Sequence, residues 1–244
     1  MARAALRTGW VHEVADLFFP RTCMGCGGPP DAGFHYLCWD CLEGTEWLQP
    51  PMCSRCGEPV AGRIDGAYAC HLCDTVKRHF DLARSASRYD GVVADAIQQL
   101  KYAKSLWVVN DLSSFLHACV DSHYDAAPMD WVVPVPLHAT RRRTRGFNQA
   151  EVLARGLGKL IHKPVLSGAL RRIRPTISQT NLTARERPSN VRGAFAVGGS
   201  KPLQGSACLL VDDVMTTGAT VSECARVLKA SGVVRVDVVT VARG

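Results

Sequence analysis

LLVDDVMTTGATV, Leu209 to Val221, joins an apolar run, two adjacent aspartates and a Thr-Thr-Gly-Ala-Thr loop within thirteen residues. The apolar run reads as a buried strand, and the residues after Val221 read as a helix. Backbone N–H groups at a helix start, threonine hydroxyls and the helix dipole all favour an anion in such a loop. No lysine follows the glycine, so the stretch is not a Walker A loop. Asp212 and Asp213 fall at the carboxyl end of the strand, where open α/β sheets bind their ligands. Carboxylates repel phosphate but accept hydrogen bonds from sugar hydroxyls. A ribose 5-phosphate group satisfies both halves, with its hydroxyls on the aspartates and its phosphate held across Met215–Thr220.

Outward from this stretch, strand and helix patterns alternate. Residues 82–89, LARSASRY, suggest a strand with larger side chains at every second position. Residues 91–104 place Val92, Val93, Ala96, Ile97 and Leu100 on one helical face, and residues 105–120 form a second helical pattern. A short apolar strand, 130–136, is ended by prolines. The segment 147–161 is helical, with Ala150, Leu153, Leu157 and Leu160/Ile161 on its apolar side. Arg171 to Arg192 is polar, arginine-rich and without a clear period, and reads as a long loop. A strand at 207–211, a helix from Thr220 to Ala230 stopped by Gly232, and a strand at 233–242 complete the pattern. Such alternation predicts an α/β fold with a mainly parallel sheet covered on both faces.

The opening third is different. Of 11 cysteines, eight precede residue 74 as four Cys-x-x-Cys pairs: Cys23/Cys26, Cys38/Cys41, Cys53/Cys56 and Cys70/Cys73. Each pair offers two thiolates to one tetrahedral ion from a tight turn, and a second pair completes the shell. Taken in sequence order, one site is Cys23, Cys26, Cys38 and Cys41, and the other is Cys53, Cys56, Cys70 and Cys73. Four thiolates leave no open position, so the expectation is two structural Zn²⁺ ions that stabilise a segment too small for its own core. Crossed pairing, a redox role and an iron–sulfur cluster stay open at this point. Cys119, Cys208 and Cys224 sit in apolar company and read as core residues. The cysteine density stops at DTVKRHF, so we place a zinc-ribbon domain at 1–78 and the α/β domain at 79–244.

Hydrophobic residues make up 47% and charged residues 21% of the 244, as in an ordinary folded chain. Nothing approaches the roughly 18 uninterrupted apolar residues of a membrane span. His12, Glu13 and Asp16 interrupt any secretory core in the first twenty residues, so a cytoplasmic location is expected. The net charge of +7 is uneven. From His138 to Arg192 there are 13 Lys+Arg against Glu151 and Glu186, a net of 13 − 2 = +11, which leaves 7 − 11 = −4 for the rest. A basic block of this kind (residues 138–192) points to an anionic partner such as phosphate, diphosphate or nucleic acid.

Leu209–Val221 resembles throughout the signature of phosphoribosyltransferases that use phosphoribosyl pyrophosphate (PRPP): an apolar stretch, two acids, two variable residues, then Thr-Thr-Gly-x-Thr. With the four Cys-x-x-Cys pairs, SASRYDG (85–91), LKY (100–102), VPVPLHATRRRTRGFNQ (133–149) and SQTNLTARER (178–187), the chain is similar over nearly its whole length to the ComF/GntX family. That resemblance implies a double zinc ribbon followed by a type I phosphoribosyltransferase-like domain, and a role in DNA uptake and natural transformation alongside other uptake proteins. It implies that Asp212 and Asp213 contact the ribose 2′- and 3′-hydroxyls, and that Thr216, Thr217, Gly218, Ala219 and Thr220, beside Met215, hold the 5′-phosphate. Arg141 and Arg145 are the expected pyrophosphate cations, acting with Mg²⁺, and Lys101 is a further candidate for that diphosphate. Asp212, Asp213, Arg141 and Arg145 form the expected catalytic set. Arg171–Arg192 resembles the lid that closes over PRPP, with Gln179, Thr180, Asn181, Arg185 and Arg187 as its polar contacts. Two functions follow, from different classes: an enzyme that transfers phosphoribose to an acceptor, or a PRPP-responsive protein that binds single-stranded DNA or uptake proteins.

Overall fold

Paired strands and helices emerge where the apolar periodicity places them. The computed structural model describes residues 21–31, 33–64, 66–126, 128–175, 187–199 and 203–244. Among the described residues the strands are β1 (Leu82–Arg88), β2 (Trp131–Pro134), β3 (Leu170–Arg172), β4 (Phe195–Val197), β5 (Ala207–Met215) and β6 (Arg235–Arg243). The helices are α1 (Trp39–Glu43), α2 (His71–Thr75), α3 (Gly91–Tyr102), α4 (Val109–His123), α5 (Ala139–Arg145), α6 (Gln149–Leu160), α7 (Arg187–Val191) and α8 (Ala219–Ala230). A 3₁₀ turn, Leu106–Val108, leads into α4.

Four strands form one sheet in the order β1-β6-β5-β2, and every pairing in it is parallel. Parallel strands are buried on both faces, which explains the near-continuous apolar run of β5. Alternation divides those residues between two cores. Leu209 and Val211, with Val132, Val239 and Val241, face α3, α4 and α6. Cys208 and Leu210, with Val133, Val236 and Val238, face α8 and the β3–β4 pair.

The stretch read as a loop from Arg171 to Arg192 is in fact structured at both ends. Its first two residues belong to β3, which pairs antiparallel with β4, and its last residues include α7. Leu170 and Phe195 are buried in the α8-side core, and such tertiary burial overrides the weak local pattern of LRR. The arginine run 141–145 forms α5, which buries no residue. His138 Nδ1 accepts from the Thr140 N–H at its start, and Arg142, Arg143 and Arg145 lie in the last turn, where the helix dipole favours cations.

The two cysteine clusters flank the β1 edge on opposite sides. Leu37 and Leu42 of the first join the α3–α4 core, whereas Cys53, Cys56, Cys70 and Cys73 join the α8-side core. Among the described residues no helix is long and apolar enough to cross a membrane.

Candidate functional site

Beyond the carboxyl ends of β2 and β5 lies a cleft of ≈ 410 Å³. Strand β5 continues past its apolar run to Met215, so the two aspartates stand on the strand itself, with Asp212 in register with Thr240 of β6. The chain then turns at Gly218, whose φ of 73° is left-handed and suits glycine, and α8 begins at Ala219. Asp212, Asp213, Thr216 and Thr220 line one wall. Lys101 from the end of α3, Arg141 and Arg145 from α5, and Arg172 from β3 also line the cleft. Residues separated by more than 100 positions in sequence therefore face one volume.

Asp213 is 9% exposed and its Oδ2 lies 2.8 Å from Lys101 Nζ. Burial opposes the Lys101 charge, but the Asp213 carboxylate outweighs it and holds the ammonium above its ordinary range. Burial, reinforced by the Asp213 charge, pushes the Asp212 carboxyl well above the usual carboxylate range. The cleft thus carries one ion-paired acid and one acid inclined to hold a proton. Lys101 also stands 5.9 Å from the Tyr89 ring, and the Arg145 guanidinium 5.5 Å from that of Tyr102. Burial lowers Arg145, while Asp213 acts in the opposite direction.

Of the residues singled out in the sequence, Met215 at the end of β5, Gly218 in the turn and Ala219 at the start of α8 are buried and do not line the cleft. The Thr217 hydroxyl is enclosed without a hydrogen-bond partner. Gln179, Thr180, Asn181 and Arg185, and the side chain of Arg187, lie outside the described residues. The cleft also takes in residues to which no role is assigned from the sequence, although four of them lie in the motifs SASRYDG, LKY and GFNQ: Tyr89, Tyr102, Asn148, Gln149, Arg172 and Gly244. Asn148 Nδ2 donates to the Val135 carbonyl at 2.9 Å and so fixes the turn after β2. Gln149 is buried with Nε2 unpartnered, a donor left for whatever enters the cleft. For Asn148 and Gln149, their position in GFNQ, at the start of the helical pattern 147–161, was the signal available in the sequence.

The cysteines assemble in sequence order rather than crossed. Within each of the sets Cys23/Cys26/Cys38/Cys41 and Cys53/Cys56/Cys70/Cys73, the Sγ atoms all lie within 4.8 Å of one another. Burial opposes ionisation of Cys53, yet N–H groups of Cys56, Cys70 and Arg55 outweigh it and bring that thiol to about 6. Its neighbour Cys73 is driven by burial to about 11, with the Cys53 and Cys70 charges adding to the rise. Four crowded sulfurs cannot all ionise without a cation among them, and that is the donor set of a closed four-thiolate zinc site. The two clusters fit two structural zinc ions.

Comparison with known proteins agrees with both halves. A model described as a double zinc ribbon domain matches residues 14–77, and one described as a phosphoribosyl transferase domain matches residues 143–244. Fold and sites together define a phosphoribosyltransferase-like α/β protein that carries a double zinc ribbon. The chain is 30% identical over 235 residues to competence protein F of Haemophilus influenzae, covering 93% of this chain and 98% of that one. It is 31% identical over 227 residues to DNA utilization protein YhgH of Escherichia coli (strain K12), covering 91% and 96% of the two chains. With competence protein ComFC of Bacillus subtilis (strain 168) it shares 25% over 207 residues, 80% of this chain and 79% of that one. The chain belongs to the competence protein F family.

Proposed function

We propose that the cleft binds PRPP, as its magnesium complex, and that the protein serves DNA uptake or utilisation through this site. The observation that carries the reading is the convergence of Asp212, Asp213, Thr216 and Thr220 with Lys101, Arg141 and Arg145 around one cleft. Asp212 and Asp213 accept hydrogen bonds from the ribose hydroxyls. Loop N–H groups, threonine hydroxyls and the α8 dipole hold the 5′-phosphate. Arg141 and Arg145 neutralise the diphosphate, to which arginine's planar fork is matched. Lys101, tied to Asp213 in the free protein, joins them once the sugar hydroxyls take up that carboxylate.

Transfer would break the C1–O bond, with its electron pair leaving on the diphosphate, as an acceptor lone pair forms the new bond to C1. The arginines supply charge where it develops, which is where electrostatic stabilisation is most effective. Asp212→Asn combined with Asp213→Asn is expected to abolish PRPP binding in calorimetry, and an unchanged affinity would refute the assignment. Incubation with PRPP, Mg²⁺ and candidate acceptors reads out transfer as released pyrophosphate.

The names of the relatives favour a second reading, in which PRPP binding controls an interaction with single-stranded DNA. Exposed Arg142 and Arg143, and Tyr102 at 74% exposure beside Arg145, supply cations and a stacking surface at the cleft mouth. Binding of a single-stranded oligonucleotide should then weaken steeply with added salt. A flat salt dependence rejects this reading and leaves the PRPP site untouched.

A further inference from the structure

Behind α8, on the side away from the cleft, is a second pocket of ≈ 480 Å³. Its walls are the segment 76–79 that leads into β1, the residues 191–193 after α7, and the first turns of α8. Helix α8 separates the two sites, with Thr216 and Thr220 on the cleft side and Ala219, Ser222 and Glu223 on this one.

The pocket is rich in cations and has one acid. Glu223 is already satisfied: its Oε1 accepts from the Gly193 N–H at 2.8 Å, and the Arg226 fork donates to both of its oxygens at 2.8 and 2.9 Å. Lys77, Arg78 and Arg192 have no ion-pair partner among the described residues. Arg78 is 4% exposed, and its Nε is enclosed without a hydrogen-bond partner. A buried guanidinium in that state is costly unless an anion offsets it. The neighbouring Ser222 hydroxyl accepts from the His79 N–H at 3.1 Å, which fixes the His79 backbone against α8.

We propose that this pocket is a second anion site that takes a phosphate group, as inorganic phosphate or a small phosphomonoester, against Arg78, with Lys77 and Arg192 at its mouth. Three cations left without acidic partners match a tetrahedral dianion better than a halide, and guanidinium groups meet phosphate oxygens with directed N–H donors. The proposal does not rest on the PRPP reading of the cleft, because α8 lies between them.

His79 is the reporter. Burial, then the Lys77, Arg226 and Lys229 charges, hold its imidazole below the usual range, and Glu223 acts in the opposite direction. A phosphate dianion in the pocket raises it. In the zinc-loaded full chain, NMR of the His79 ring during addition of inorganic phosphate at constant ionic strength should show a saturable shift and a raised pKa. Arg78→Gln should weaken phosphate at least about tenfold. Since a buried substitution can disturb folding, Lys77→Gln with Arg192→Gln, both at exposed positions, is the companion variant, with a loss of about fivefold. The response should persist in the Asp212→Asn, Asp213→Asn chain, which separates it from the cleft. Absence of a saturable shift, an equal shift with chloride, or an unaltered midpoint in the companion variant overturns the proposal. So does saturation by a short single-stranded oligonucleotide but not by phosphate, which would assign the pocket to a nucleic-acid backbone.

Discussion

The two cysteine clusters share one spacing rule but are built into the molecule differently. In the first, Cys26 is exposed and Cys41 half-buried; in the second, all four cysteines are buried. The first is held to the helical layer by Asp111 of α4, whose carboxylate accepts from the His35 and Tyr36 N–H groups at 2.9 and 2.8 Å. The second is joined to the sheet. Ala83 N–H of β1 donates to the Arg55 carbonyl at 2.8 Å, and a Cβ at Gly57 would stand 2.9 Å from the Ala83 carbonyl oxygen. Arg243 of β6, itself 3% exposed, donates to the Cys56 carbonyl at 2.9 Å and pairs with Glu58.

That last contact reaches the cleft. The Arg243 carbonyl accepts from Tyr89 N–H at 2.7 Å, and Gly244 N–H donates to the Met215 carbonyl at 3.1 Å. Tyr89 and Gly244 both line the cleft. The second cluster is therefore braced against the strand ends that shape the ligand site, whereas the first is braced against an outer helix. Identical ligand arithmetic serves a different neighbour in each case.

The largest effect should come from Cys53→Ser. Structural zinc sites contribute on the order of 10 kcal/mol in isolated zinc-finger peptides. Loss of this one should lower the melting temperature sharply and remove PRPP binding, with one zinc left per chain by metal analysis. Cys26→Ser is the contrasting variant: it too should leave one zinc, but with PRPP affinity unchanged within about twofold, a difference of under about 1 kcal/mol. Equal damage to binding from both substitutions would break the comparison. Arg243→Met comes next. It separates the brace from the metal and should cost about 2 kcal/mol, below the figure for a fully buried pair because Glu58 is 37% exposed, and should weaken PRPP several-fold with both zinc ions retained. Asp111→Asn is the mildest. It should cost about 1 kcal/mol of stability, read by denaturant unfolding, and leave PRPP binding intact.

Some features were legible because their physics is local. A Cys-x-x-Cys turn brings two sulfurs together whatever follows, so the four pairs were legible before any fold was known, while crossed combination of them stayed open until the structure joined them in sequence order. The strand–loop–helix of Leu209–Val221 likewise carries its own turn, glycine and helix start. Apolar periodicity placed β1, α3, α6, α8 and β6 to within a few residues.

Other features depended on partners far along the chain. Strand β3 has no pattern of its own, and its existence follows from β4 and the core beneath α8. Lys101 is only one candidate in the sequence, and the end of α3 brings it 2.8 Å from Asp213. Arg172, Gln149 and Tyr102 enter the cleft only because β3, the start of α6 and the end of α3 meet around it. The sequence by itself determined the four Cys-x-x-Cys pairs, the alternation of strands and helices, and the acid-plus-loop motif, all set by neighbours within a few residues. Tertiary structure alone decided which cations meet those acids, which zinc cluster braces the cleft, and that a buried arginine lies behind α8, because each depends on contacts between segments whose spacing no local periodicity records.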